Sequence, residues 1–283
     1  MNNKFYTLTL LLAGTLIFSA CSESDISVRD ISLDTTELDM IVGNTATLYA
    51  TVHPRNATDP TVTWASSHPT IASVDINGVV TAHLAGTAII TATAGAHTAT
   101  ATVAVDGVKM DNIVWATRNV DEPGTFVSHP HRAGRLFQWG TLKGVVHHFD
   151  NTTPGSIDGW HTRTNTAERV VWTAANDPCP AGWRVPTLEE LESLGSGTWV
   201  RNWNVTSANG LVFGTEPNQI FLPAAGWRYG GDGALGNVGP KGSYWAITQS
   251  SDRLAWTLWF NSAGSGVSSS SRASGFSIRC VAE

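Results

Sequence analysis

Few residues in this chain could do chemistry, and most stand in patterns that serve structure. Cys179 sits in the run Asp177-Pro178-Cys179-Pro180-Ala181-Gly182-Trp183-Arg184-Val185-Pro186-Thr187. Cys280 sits in the alternating run Gly275-Phe276-Ser277-Ile278-Arg279-Cys280-Val281 and is the partner available to it. The two read as a disulfide, and closing a loop of about 100 residues stabilises by roughly 4–5 kcal/mol in the chain-entropy model. His129-Pro130-His131 and His147-His148 could serve zinc, since imidazole suits that ion. Adjacent histidines in an extended segment point to opposite sides. No cysteine or carboxylate stands with them at a recurring spacing, so no metal site is expected. Glu216-Pro217-Asn218 could offer oxygens to calcium, but calcium takes six to eight, and the neighbourhood reads as a turn. No serine, histidine and aspartate order and no paired carboxylates stand out, so neither catalysis nor a cofactor is expected.

Tryptophan is the compositional anomaly. There are 12, of which Trp64 alone precedes residue 110. Most should anchor core or loops, because irregular backbone needs large side chains to hold it. In Leu254 to Phe260, strand alternation puts Leu254, Trp256, Leu258 and Phe260 on one face and leaves Ala255, Thr257 and Trp259 on the other. Trp227 and Trp259, flanked by Arg228, Tyr229 and Asn261, are either a sugar- or protein-binding platform or packing residues.

The elements that must position these groups are mostly strands. The chain has 283 residues, 42% hydrophobic and 14% charged, with net charge −6. Only four lysines are present, so a polyanion partner is disfavoured and no nucleic acid is expected. Gly, Ser and Thr are abundant and helix-forming runs scarce, so β-structure and ordered loops should dominate. One helix start is written plainly: Thr187 and Glu190 form a capping box, with Leu188, Leu191 and Leu194 as an apolar face and Gly195 as the stop. Between residues 30 and 105, Ala46, Leu48, Ala50 and Val52 alternate with Thr45, Thr47, Tyr49 and Thr51 as a half-buried strand. Val62 and Trp64, Ile71 and Val74, Val79 to Ala82, Thr87 to Thr93 and Ala99 to Val105 add further short strands, which argues for a sandwich. Val105 to Asp111 reads as a short connector, and His147 to Asn176 as a long ordered loop.

Three resemblances extend this reading. Lys4, the apolar stretch Leu8 to Phe18 and Ser19-Ala20-Cys21 form a processing signal that resembles a bacterial lipobox, which implies lipidation of Cys21. Ser22-Glu23-Ser24-Asp25 is similar to the acidic tag of Bacteroidetes-type surface lipoproteins. The series Leu48-Tyr49-Ala50-Thr51-Val52, Val62-Thr63-Trp64-Ala65-Ser66-Ser67, Gly78-Val79-Val80-Thr81-Ala82 and Ala85-Gly86-Thr87-Ala88 resembles the bacterial Ig-like group 2 domain. Trp115 and Asn119, Phe137-Gln138-Trp139-Gly140, Cys179 to Thr187, Leu222-Pro223-Ala224-Ala225-Gly226, Tyr244-Trp245 and Ser277-Ile278-Arg279-Cys280 resemble the Fibrobacter succinogenes major paralogous domain. That family is similar to C-type-lectin-like folds and to formylglycine-generating enzymes. The implied organisation is a signal peptide over 1–20, a polar linker over 21–29, an all-β Ig-like sandwich over 30–106, and an α+β C-type-lectin-like domain rich in loops over 110–283.

The C-type-lectin resemblance implies a binding face just before the last strand. Its expected residues are Trp227, Arg228, Tyr229, Tyr244 and Thr248, followed by Gln249, Asp252, Arg253, Trp259 and Asn261, with Trp245, Trp256 and Phe260 turned inward. Ser262 to Ser274 is either an adaptable polar tract or a solvated turn. The function this implies is a surface lipoprotein adhesin in the outer membrane, held by its lipid and binding a glycan or protein on a host or neighbouring cell. The alternatives are a degenerate or novel enzyme on the formylglycine-generating scaffold, a fimbria-associated assembly component, or a retroelement-diversified variable receptor.

Overall fold

The computed structural model describes residues 25–142, 144–146, 160 and 171–283. Residues 27 to 106 form small sheets around two apolar clusters, a larger one about Met40, Leu48 and Ile90 and a smaller one about Ile31, Ala92 and Ala94. One sheet runs Glu37–Ile41, His97–Asp106, Gly86–Ala94, Thr63–Ser66, and another runs Thr45–Thr47, Val79–Ala82, Ala72–Val74. Glu37–Ile41 lies parallel to His97–Asp106, and the other pairings in these two sheets are antiparallel. Alternation places Ala88, Ile90, Ala101, Val103 and Val105 inward against Met40, Leu48, Val80 and Ala82. The single strand expected over residues 45 to 52 is divided. After Thr45–Thr47 the chain crosses at buried Leu48 and exposed Tyr49, and Ala50–His53 pairs instead with Asp30–Leu33. Asp34 holds the crossing, accepting from the Tyr49 N–H at 2.9 Å while its own N–H donates to the Tyr49 carbonyl at 3.1 Å. At the Asn77-Gly78 turn, Gly78 has φ +78° and a Cβ there would lie 2.5 Å from the Leu48 carbonyl oxygen and 2.8 Å from the Trp64 ring. Only glycine fits.

The expected connector is in fact a weld. His97–Asp106 ends, Gly107 turns at φ +106°, and Val108–Met110 is already a strand of the second half. The Asp106 carboxylate accepts from the Gly107 N–H at 2.7 Å, the Thr117 N–H at 3.1 Å and Arg118 Nη2 at 2.6 Å. Burial opposes the charge on Asp106, but the bonds from Thr117 and Arg118 outweigh it and hold the carboxyl below its ordinary value. Ile41 packs on the second half's core, and Val114 touches the cores of both halves.

Among the described residues of 108 to 283, the regular structure is nearly all strand, which corrects the α+β expectation. Leu188–Ser193 is the one α-helix among the described residues, six residues long. Its capping box is formed on both sides, but Gly195 at φ +65° ends the apolar repeat almost at once, and elsewhere strand-type residues prevail. One sheet runs Val108–Met110, Ile113–Asn119, Arg279–Ala282, Trp183–Arg184, which sets the first and last long segments of this half side by side. Another runs Gly144–Val146, Arg135–Gln138, Gly275–Phe276, Trp227–Arg228, Leu235–Gly236, and a third Thr198–Val200, Gly210–Thr215, Asn218–Pro223. The fourth runs Lys241–Gln249, Leu254–Asn261, Gly264–Ser271. The serine tract is therefore mostly neither loop nor solvated turn. It pairs residue by residue with Leu254–Asn261.

The first two strands of this fourth sheet are buried on both faces, while Gly264–Ser271 is exposed or half-buried throughout. Tyr244, Ala246, Leu258 and Phe260 join one core with Leu211, Phe213, Ile220 and Leu222. Trp245 and Ala255 join the other with Phe137, Trp139, Trp183, Phe276 and Ile278. Two indoles tie it across that second core: Trp245 Nε1 donates to the Phe137 carbonyl at 2.7 Å, and Trp139 Nε1 to the Ala246 carbonyl at 2.8 Å. Cys179 and Cys280 are bonded, across a sequence separation of 101. Asp177 shapes the loop before the helix, accepting from the Cys179 N–H at 2.8 Å and the Val185 N–H at 3.0 Å.

Arg279, fully buried, makes its bonds to neutral groups. Nε donates to Asn119 Oδ1 at 2.9 Å, Nη1 to the Ala116 carbonyl at 3.1 Å and Nη2 to the Phe221 carbonyl at 3.0 Å. Asn119 Nδ2 then donates to the Ala133 carbonyl at 2.8 Å and to the Tyr244 hydroxyl at 3.0 Å, and that hydroxyl donates to the Pro223 carbonyl at 3.0 Å. Burial pulls the guanidinium down to about 10 and pushes the Tyr244 phenol up to about 12. Both keep their protons at neutral pH. Arg279→Met orphans three buried acceptors, each costing about 1–3 kcal/mol, so urea titration should show a loss of at least about 3 kcal/mol. Tyr244→Phe, which removes one hydroxyl, should cost about 1 kcal/mol by the same measurement.

The weld carries a pH signature. Because the Asp106 carboxyl is held below its ordinary 3.8, its stabilisation is present above that value and lost as pH falls through the folded value. Thermal melts between pH 6 and about pH 3 should show wild type losing more stability on acidification than Asp106→Asn. Parallel losses in the two proteins would contradict the assignment.

Candidate functional site

A cavity of about 430 Å³ lies between Trp227 and Phe276 of the second sheet and Trp259 of the fourth. Trp227, Lys241, Ser243, Trp259, Asn261 and Phe276 line it, with Ser270, Ser271 and Ser274 along the serine strand's side. Local sequence explains the shape. Ser243 pairs with Trp259 and Gly242 with Phe260. A Cβ at Gly242 would stand 2.2 Å from the Phe260 ring, so the absent side chain lets that ring lie against the strand on the first core's face, opposite to Trp259. Gly266 pairs with Trp259, and a Cβ built there would come within 3.4 Å of the indole. A bridge between Gly226 and Gly242, with the Gly226 N–H donating to the Lys241 carbonyl at 2.8 Å, brings Trp227 beside Lys241. The Lys241 ammonium lies 5.8 Å from the centre of the Trp227 ring. The Trp227 and Tyr229 rings meet edge to face at 6.1 Å.

The residues expected from sequence separate into three groups. Trp227, Trp259 and Asn261 share the cavity, and Tyr229, 46% exposed, stands beside it with its hydroxyl accepting from Asn237 Nδ2. Tyr244 and Arg228 do not face outward. Tyr244 is fully buried in the Arg279 network, and Arg228, also buried, donates from Nη1 to the Gly233 carbonyl at 2.9 Å. Thr248 accepts from the Leu188 N–H at 2.9 Å, a second cap on the helix. Gln249, Asp252 and Arg253 are exposed around the next turn, away from the cavity lining. Trp245 and Phe260 point inward as expected, and Trp256 is partly buried against the first core.

Sequence reasoning missed Lys241 and Ser243 as cavity residues. A lone lysine in a glycine-rich stretch has no spacing to mark it, whereas its place opposite Asn261 comes only from the strand register. Among the described residues, no group of three His, Cys, Asp or Glu could hold a metal ion. The rings of His129 and His131 lie 5.4 Å apart. Burial and the neighbouring Arg132 lower the proton affinity of His131. His147 and His148 lie outside the described residues, as do Cys21 and most of the Thr152 to Asn176 loop. Glu216 and Pro217 form a hairpin turn between paired Thr215 and Asn218. No helix among the described residues is long and apolar enough to cross a membrane.

Comparison with known proteins reaches the two ends of the chain separately. Residues 199–281 match a family described as a domain of unknown function, DUF8237. Two uncharacterized proteins of Clostridium acetobutylicum are similar to short parts of the chain. One is 46% identical over 54 residues, 19% of this chain and 14% of that protein. The other is 38% identical over 87 residues, 31% of this chain and 9% of that protein. The matched parts are thus a small fraction of either relative. Among solved structures, domains 4 and 5 of the S-layer protein SbsC are 22% identical, covering 28% of this chain and 51% of theirs, with TM-score 0.25. A bacterial Ig-like domain containing GH10 xylanase from termite gut is 26% identical, covering 26% of this chain and 20% of its own, with TM-score 0.22. Such TM-scores are too low to bear on fold or function. Residues 27–105 match the family described as bacterial Ig-like domain (group 2), and with the paired sheets described above that part of the chain is a bacterial Ig-like domain of group 2.

Proposed function

We propose that the chain is a cell-surface binding protein of adhesin type, in which the Ig-like domain carries the second half and the Trp227–Trp259 cavity receives a glycan or protein ligand. The observation that supports this most is convergence. Two part-exposed indoles from different sheets line one cavity together with Phe276, several serine hydroxyls and one amide. Aromatic rings give large contact area at small entropic cost, and small polar groups give adaptable hydrogen bonds. Among the described residues neither carboxylate nor imidazole lines the cavity, which favours recognition over catalysis. The weld at Asp106 suits a stalk that presents its tip in a fixed direction.

Kinship of residues 110 to 283 with the Fibrobacter succinogenes major paralogous domain belongs to this reading. It is supported by the way its anchors meet: Cys179 with Cys280, Phe137 and Trp139 with Trp245, and Asn119 with Arg279. Placement at the outer membrane through lipid on Cys21 rests on the Ser19-Ala20-Cys21 signal. Metabolic labelling with a fatty acid should mark the wild-type chain, and Cys21→Ala should remain unprocessed and unlabelled. A labelled mutant would place the anchor elsewhere.

Binding should be read first on an array of immobilised oligosaccharides and on host cells. Trp227→Ala and Trp259→Ala should each weaken binding by about 1–3 kcal/mol, with melting temperatures close to wild type because both rings are partly exposed. Unchanged binding in both, or unfolding of both, would remove the site from this cavity.

A further inference from the structure

The charge pattern of the same cavity narrows its ligand, and the inference rests on reading that cavity as the binding site. Among the described residues, Lys241 is the one charged residue in the lining, which otherwise holds aromatic rings, serines, glycine and Asn261. The chain is acidic, with net charge −6 and four lysines in all, so a lysine in an aromatic cavity with no acidic residue in its lining among the described residues is an unusual placement. The ion pairs shown among the described residues are all made by arginines, and none involves Lys241. The ammonium instead stands near the Trp227 ring, 5.8 Å from its centre. That contact restrains a flexible side chain while leaving its hydrogen-bond donors open.

We propose that the cavity binds an acidic saccharide, a sugar ring bearing a carboxylate, with Lys241 taking the carboxylate while an indole takes the ring. The C–H face of a pyranose stacks on an exposed aromatic plane. Trp259, 39% exposed with glycine as its cross-strand neighbour, offers such a plane. Sugar hydroxyls need both donors and acceptors, which serine hydroxyls and the Asn261 amide supply. A carboxylate needs a cation or several N–H donors once it leaves water, and Lys241 is the cation at hand. No carboxylate stands in the lining among the described residues, so none of them repels an acidic sugar. A neutral sugar would leave the Lys241 ammonium without a counter-charge. A basic ligand would meet that charge directly.

The test is a panel of galacturonate, glucuronate and sialate oligosaccharides, each paired with its carboxyl-methylated form and offered to the full chain. Acidic members should bind, and methylation should weaken them about ten-fold, equal to about 1.4 kcal/mol. Lys241→Gln should abolish the difference within each pair, and Lys241→Arg should restore it. Raising the salt concentration should weaken the acidic members selectively. If methylated and free forms bind alike, or if Lys241→Gln leaves the discrimination intact, the charge assignment is overturned while saccharide binding stands. If no member of either kind binds, the saccharide reading of the cavity falls with it.

Discussion

The second half of this protein depends on one buried cation. Arg279 lies in the last strand and reaches two other strands, the opening one through Asn119 and the Ala116 carbonyl and Asn218–Pro223 through the Phe221 carbonyl. A guanidinium taken out of water is expensive, and the cost is offset only if each donor finds a partner in a fixed place. The requirement therefore acts on geometry. The opening strand, the Asn218–Pro223 strand and the closing strand must come together at one spacing, or the charge is left unsatisfied. Asn119 extends the condition to Tyr244, and Tyr244 to Pro223. The disulfide one residue further on ties the helix-bearing loop to the same point.

Everything that builds the cavity hangs from that bracket. Tyr244 fixes the inner strand of the fourth sheet, and the indoles of Trp245 and Trp139 then lock its other face to the Phe137 strand. With both faces engaged, the sheet has little freedom to repack. Its Trp259 strand shares a cavity with Trp227 and Phe276 of the second sheet. The proposed binding surface lies there, with glycines at 242 and 266 clearing space for the rings around them. Rigid aromatic groups on a locked sheet lose little entropy on binding.

Much of this was legible in the residues themselves. The capping box at Thr187 and Glu190 is local chemistry and formed as read. Period-two alternation put Trp259 outward and Phe260 inward, and both are so placed. What failed depended on partners far away in sequence. Tyr244 carries a polar tip that suggested an outward position, but its acceptor and donor lie 21 and 125 residues away. Thr248 caps a helix 60 residues earlier. Gly264–Ser271 has no apolar period to announce a strand, and forms one because Leu254–Asn261 offers a full ladder of backbone groups. The α+β expectation failed for a related reason: a single helix start was clear, but Gly195 follows before the helix gains length.

The central claim is that a ligand sits between Trp227 and Trp259, and the tryptophans themselves can report it. The full chain labelled with fluorotryptophan, its resonances assigned by single Trp→Phe variants, can be followed by fluorine NMR during titration with the tightest-binding oligosaccharide of the array. The account predicts that the Trp227 and Trp259 resonances move together and saturably, while those of buried Trp139 and Trp245 and of Trp64 in the Ig-like domain stay in place. Movement of Trp64 or of the core indoles, with Trp227 and Trp259 unmoved, would contradict it.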